Sequence, residues 1–155
     1  MQKLIDSRDT RAIKPLFERF ICDDRGSIYG RTAVLKVLGS LENADAVEQF
    51  VIALKESCVD GREIAASMLG DIGDVRAVQP LIESLKDSER KVCVEAAKAL
   101  RRIGDVRAVE ALLELFADRS RGMRTIVIES LAELRDPRVD ELFIAALQDP
   151  DPRVR

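Results

Sequence analysis

The sequence predicts an all-α protein built as an α-solenoid. Three observations carry that reading: a composition poor in strand and turn formers, an internal repeat of 31 residues, and apolar columns at helical spacing within each repeat. Only 4% of the 155 residues are aromatic, and 8 Gly with 5 Pro fall below average usage, which disfavours a sandwich or barrel of aromatic strands. Apolar residues at 46%, charged residues at 34% and a net charge of −3 describe a folded, soluble chain of one domain.

The repeat is visible as identity. IGDVRAV occurs at Ile72 to Val78 and again at Ile103 to Val109, a shift of 31. The same shift aligns Leu38 to Val47, Leu69 to Val78, Leu100 to Val109 and Leu131 to Asp140. A more diverged copy starts at Asp9 (DTRAIKPLFERF) and matches DVRAVQPLIESL from Asp74, with three extra residues between Phe20 and Leu38. The first unit therefore carries a longer internal loop. These registers define a single repeat domain over 1–155, with units at about 9–42, 43–73, 74–104 and 105–135 and an incomplete one at 136–155.

Each unit reads as two helices. Ala77, Val78, Leu81, Ile82 and Leu85 form the buried stripe of a first helix, repeated as Ala12, Ile13, Leu16, Phe17 and Phe20 and as Ala108, Val109, Leu112, Leu113 and Phe116. Val92, Ala96, Ala97, Ala99, Leu100 and Ile103 form a second, with small residues where neighbouring backbones must approach. Helices are expected to start near Asp9, Ser27, Asn43, Asp60, Asp74, Ser88, Asp105, Ser120 and Asp136. Asp74, Asp105 and Asp136 stand as N-caps, the last followed by Pro137 at the favoured N1 position. Gly73 and Gly104 suit left-handed helix ends. Pro15 and Pro80, about six residues into their helices, are expected to kink them. Such a pair cannot bury its stripe alone, so successive pairs must stack into a continuous core.

The run Val92-Cys93-Val94-Glu95-Ala96-Ala97-Lys98-Ala99-Leu100-Arg101-Arg102-Ile103-Gly104-Asp105-Val106-Arg107-Ala108-Val109 resembles the HEAT repeat, in the short form found in phycobilisome (phycocyanobilin) lyases. The resemblance covers nearly the whole chain. It implies a right-handed α-α superhelix of about 4.5 HEAT-like hairpins. It also implies a ladder between units, formed by an Arg at the second-helix start (Arg31, Arg62, Arg124, Arg155) and the capping Asp, with a rung missing at Cys93. The family's Gly after Leu is present as Gly39 and Gly70 but becomes Arg101 and Ala132, and Arg101 is expected to turn to solvent. Fold does not fix function, since such repeats serve lyase subunits, scaffolds and regulators.

Composition removes much chemistry. With 0 His, serine and cysteine triads, His-ligated zinc and His-Glu iron sites are excluded. Cys22, Cys58 and Cys93 are odd in number and widely spaced, which predicts reduced, buried thiols in place of a disulfide framework or zinc site. The loop Cys22 to Ser27 reads as a solvated turn. No metal and no cofactor is expected. The longest apolar run, Leu142 to Leu147, falls far short of the ~20 residues of a membrane span, and the start MQKLIDSRDT has no signal-peptide core, so a cytoplasmic location is expected.

Function is expected on the inner, concave face lined by second helices. The candidate binding residues are Ile64, Ser67, Val94, Glu95, Lys98, Arg102, Thr125, Ile126 and Glu129, with Glu63, Asp71 and Glu133 beside them and Thr32, Ala33, Lys36 and Ser40 in the first unit. Ile64, Val94 and Ile126 read as an apolar strip with a charged rim, as a protein interface needs; the bland alternative is scattered surface hydrophobes. The basic cluster Lys98, Arg101, Arg102, Arg119, Arg121 and Arg124 shares the face with Glu95, Glu129 and Glu133 and lacks interleaved aromatics, which argues against nucleic acid. The preferred reading is a noncatalytic protein-binding scaffold or adaptor. The alternative, implied by the resemblance alone, is a phycobilin lyase-like subunit acting on a tetrapyrrole or its carrier protein. Because both ends cut through a repeat, Leu142, Phe143, Ile144 and Leu147 are expected to leave an apolar stripe for a following unit or for end-to-end self-association.

Overall fold

The computed structural model describes residues 44–56, 58–117, 123–134, 136–148 and 152. These residues hold seven helices and no strand. They are α1 (Ala44–Glu56), α2 (Val59–Ile72), α3 (Val78–Ser84), α4 (Arg90–Ile103), α5 (Val109–Ala117), α6 (Arg124–Leu134) and α7 (Asp140–Ala146). Short 3-10 turns at Val75–Ala77, Val106–Ala108 and Pro137–Val139 lead into α3, α5 and α7. All seven begin within four residues of the expected positions; the helices expected at Asp9 and Ser27 lie outside the described residues.

The helices form two layers. The even-numbered ones, α2, α4 and α6, stack side by side, and α1, α3 and α5 each pack on the second helix of their own pair. The apolar columns explain this arrangement. Ala77, Val78, Leu81 and Leu85 of one stripe and Val92, Ala96, Ala97, Ala99 and Leu100 of the other are buried, with Ile82 and Ile103 half-buried at the margins. Phe50, Leu69, Leu81, Leu100, Leu112, Met123 and Leu131 are the largest fully buried side chains, and they come from successive pairs, so the core continues from unit to unit. Each such side chain contributes about 1.5–3 kcal/mol on burial.

The turns between pairs repeat the same chemistry. Gly73 and Gly104 end α2 and α4 with φ +73°, a conformation that glycine adopts without a Cβ penalty, and their N–H groups donate to Leu69 and Leu100 carbonyls. Asp74, Asp105 and Asp136 then cap the 3-10 turns, each accepting from the N–H two residues on at 2.8, 2.9 and 2.9 Å. The kink expected at Pro80 takes another form. The α-helix starts anew at Val78, so Pro80 sits in its first turn, where the missing N–H has no intrahelical acceptor to lose. The same junction recurs at Ala108/Val109 with Ala111 in the proline's place, so the cap and 3-10 turn make the break, not the ring. Pro15 lies outside the described residues.

At α7, Val139 and Ala146 are buried and Leu142 and Phe143 pack against the core, whereas Ile144 and Leu147 are 65% and 67% exposed. No helix among the described residues is long and apolar enough to cross a membrane.

Candidate functional site

The surface of α2, α4 and α6 is set by how closely these helices approach. A Cβ placed on Gly70 would lie 2.7 Å from Ala99 Cα and 2.8 Å from its Cβ, so α2 and α4 touch backbone to backbone at this point. One unit later Arg101 occupies the glycine's position and behaves differently from expectation. It is half-buried and does not simply turn to solvent: it spans toward α6, 3.8 Å from Glu129 and 3.6 Å from Glu133. The reason is electrostatic, because α6 offers two carboxylates along the side that faces α4.

Among the described residues a bidentate pair ties the start of α2 to the next unit. Arg62 Nε and Nη2 donate to Asp87 Oδ2 and Oδ1 at 2.8 and 3.0 Å, in the bidentate geometry that suits guanidinium and carboxylate. The Asp87 hydrogen bond, opposed by partial burial, pushes the Arg62 pKa further up. Asp87 Oδ1 also accepts from the Glu89 N–H at 2.8 Å, and its carbonyl accepts from the Cys93 thiol at 3.1 Å. This corrects the ladder implied by resemblance. Arg62 pairs with the aspartate in the turn inside the next unit, whereas the capping aspartates bind locally to Arg76, Arg107 and Arg138. Each of these carboxylates is held within its own turn, by the backbone N–H and the guanidinium of the arginine two residues on.

The cysteine expectation divides. Cys93 is buried and keeps its thiol. Cys58 is half-buried at the N-cap of α2, where its Sγ accepts from the Gly61 N–H at 3.4 Å, and it is disulfide-bonded. An odd cysteine count argues against a fully bridged framework but permits one bond beside one thiol, which is where the reading of three reduced thiols failed. Cys22 and the loop to Ser27 lie outside the described residues.

The structure brings the expected binding residues onto one surface. Ile64 and Ser67 stand on α2, Val94, Glu95, Lys98 and Arg102 on α4, and Thr125, Ile126 and Glu129 on α6; none is buried. Ile64, Val94 and Ile126 are half-buried and lean on the core, so their tips, not whole side chains, form the apolar strip. The strip is also stepped. In the 31-residue register Ile64 and Ile126 correspond to Glu95, and Val94 lies one residue earlier, about 100° around the helix. Lys98 Nζ, 2.6 Å from Glu95 Oε1, neutralises that interruption.

What sequence reasoning missed is the alternation of charge between helices. α4 carries five cations against one carboxylate, while α2 carries three carboxylates against one cation and α6 two against one. The charges meet across the grooves: Lys91 binds Asp60 and lies 3.2 Å from Glu63, Arg102 lies 3.4 Å from Asp71 and 3.5 Å from the Ser67 carbonyl, and Arg101 reaches α6. The basic cluster is thus compensated by neighbours that sequence distance conceals. Arg119 and Arg121 lie outside the described residues. Among the described residues no three metal-ligating side chains converge.

Comparison with known proteins agrees with this architecture. The family model for HEAT repeats matches residues 13–97, 47–132 and 81–155 in overlapping windows. No curated protein matches the chain. Residues 13–155 are thereby spanned, and the stacked helical pairs are the form those repeats take: the chain belongs to the HEAT repeat family.

Proposed function

We propose that the chain is a noncatalytic scaffold or adaptor that binds a protein partner on the surface of α2, α4 and α6, the concave face of the array. HEAT repeats generally mediate interactions between proteins. The observation that carries the reading is the half-buried strip Ile64, Val94 and Ile126 bordered by the Lys98–Glu95 and Arg102–Asp71 pairs. Half-buried aliphatic tips lose their remaining water on docking, and the rim pairs supply orientation at little cost in affinity. The compensated charge of α4 works against a polyanion such as nucleic acid.

Photo-crosslinking tests this. A photoreactive residue at Thr125 should capture a defined partner from the native lysate, and one at Glu114 on α5 should not. Equal capture at both positions would refute the assignment of the face. The lyase-like alternative rests on resemblance alone, and an absorbance titration with a linear tetrapyrrole tests it directly. The exposed Ile144 and Leu147 favour association between chains at high concentration. Sedimentation should show concentration-dependent mass that Ile144→Glu removes, and a constant monomer mass would refute it.

A further inference from the structure

Toward their C-terminal ends, α2, α4 and α6 carry ion pairs that all point the same way. Asp71, Glu129 and Glu133 have side chains 57%, 53% and 63% exposed, whereas the arginines they meet, Arg102 and Arg101, are 38% and 27% exposed. The negative ends therefore face outward. These contacts are also loose. At 3.4, 3.8 and 3.6 Å they exceed the about 2.7–3.2 Å of a hydrogen bond, whereas Asp87 and the capping aspartates are bound by arginines at 2.6–2.8 Å. Arg101 is moreover shared between two glutamates, so the acceptor capacity of both is left largely unused.

The helix ends add to this potential. Asp71 and Glu133 lie in the last turns of α2 and α6, where neither helix carries a basic residue. The C-terminal end of a helix is itself partly negative, so a cation placed there gains from backbone and carboxylates together. The acidic groups also adjoin apolar surface. Ile126, Glu129 and Glu133 follow at i, i+3 and i+7 along one face of α6, and Ile126 belongs to the half-buried strip with Val94 and Ile64.

Resting on the reading of this surface as the docking face, we propose that its partner presents a cationic amphipathic helix. A helix lying along α6 repeats at the same i, i+3, i+7 interval, so a leucine meets Ile126 where arginines meet Glu129 and Glu133. Residues four apart on a helix have Cβ atoms about 5–6 Å apart, a span that one guanidinium with its five donors bridges better than an ammonium does. Asp71 receives a further cation on the α2 side.

The probe is a fluorescein-labelled, alanine-based helical peptide of about four turns with leucines and arginines on one face, titrated by anisotropy against the full chain at low salt. Saturable binding is expected, weakened about tenfold by the double substitution Glu129→Gln with Glu133→Gln. Glu110→Gln with Glu114→Gln, an exposed pair of the same spacing on α5, should leave it unchanged. Arg101→Gln removes the resident cation and should tighten binding about threefold, a gain that damage to the fold does not produce. No saturation at millimolar protein would overturn the proposal, as would weaker binding to Arg101→Gln or loss of binding in the α5 variant alone. So would equal affinity for peptides with glutamate or lysine in place of arginine, or with alanine in place of leucine. Capture of a partner through Thr125 alongside any of these results would remove only the cationic helix, whereas equal capture at Glu114 would remove the face itself.

Discussion

Replacing Gly70 by alanine sets two effects of opposite sign against each other, and the structure says which wins. In an open helix position alanine is favoured over glycine by about 1 kcal/mol. At Gly70 the new Cβ would meet Ala99 Cα at 2.7 Å, Ala99 Cβ at 2.8 Å and Arg102 Nη1 at 3.0 Å. Carbon atoms rest at about 3.5–4.0 Å, so roughly 1 Å of overlap must be relieved. Arg102 can swing aside, but Ala99 Cα moves only if α2 and α4 separate, loosening the contacts of Ala65, Ala66, Leu69 and Ala96. Overpacking of this kind costs about 1–3 kcal/mol, which leaves a net loss of about 1 kcal/mol after the helix preference is deducted. With a urea slope of about 2 kcal/mol per molar, the unfolding midpoint should fall by roughly 0.5 M. Ala132→Gly, at the equivalent but exposed position of α6, should cost only the helix preference of about 1 kcal/mol. A Gly70→Ala variant with a raised midpoint would mean that α2 and α4 do not approach as described.

Three further outcomes follow from the same geometry. Arg62→Ala should destabilise by about 1.5–3 kcal/mol, because a half-buried carboxylate loses two charge-assisted hydrogen bonds, and Arg62→Lys should restore only part of it; equal stability of all three proteins in urea would deny the rung. Asp74, Asp105 and Asp136 are held at about 2, below their ordinary 3.8, mainly by side-chain hydrogen bonds from Arg76, Arg107 and Arg138. Their contribution is complete above about pH 4 and is lost as pH falls toward 2, so thermal midpoints should drop across that interval, less so in a variant with all three aspartates replaced by asparagine. A flat profile from pH 4 to 2 would contradict the local pairing. Thiol titration in denaturant should give fewer thiols before reduction than the three after it, since Cys58 is bridged; three before reduction would exclude the bond.

The repeat made the fold legible because stacking constraints are local and recur. Leu69, Leu100 and Leu131 are buried for the same reason at the same register, and Gly73 and Gly104 end their helices alike. Pro80 misled because a proline's effect depends on where the helical hydrogen bonding begins, and the cap at Asp74 delays that to Val78. The register places the candidate residues on α2, α4 and α6, but it does not show the charges that meet around them. Arg101 and Glu133 are 32 residues apart, and only the stacking of α4 on α6 makes them neighbours. The Arg62–Asp87 rung was hidden similarly, since several aspartates lie at plausible separations and geometry alone chooses among them.

The central claim is that the second-helix surface is where a partner binds. Hydrogen exchange of the chain with and without the partner captured through Thr125 measures this most directly. Added protection should concentrate on α2, α4 and α6, around Ser67, Lys98 and Thr125, with α3 and α5 unchanged. Protection confined to α3 and α5, with none on the second helices, would contradict it.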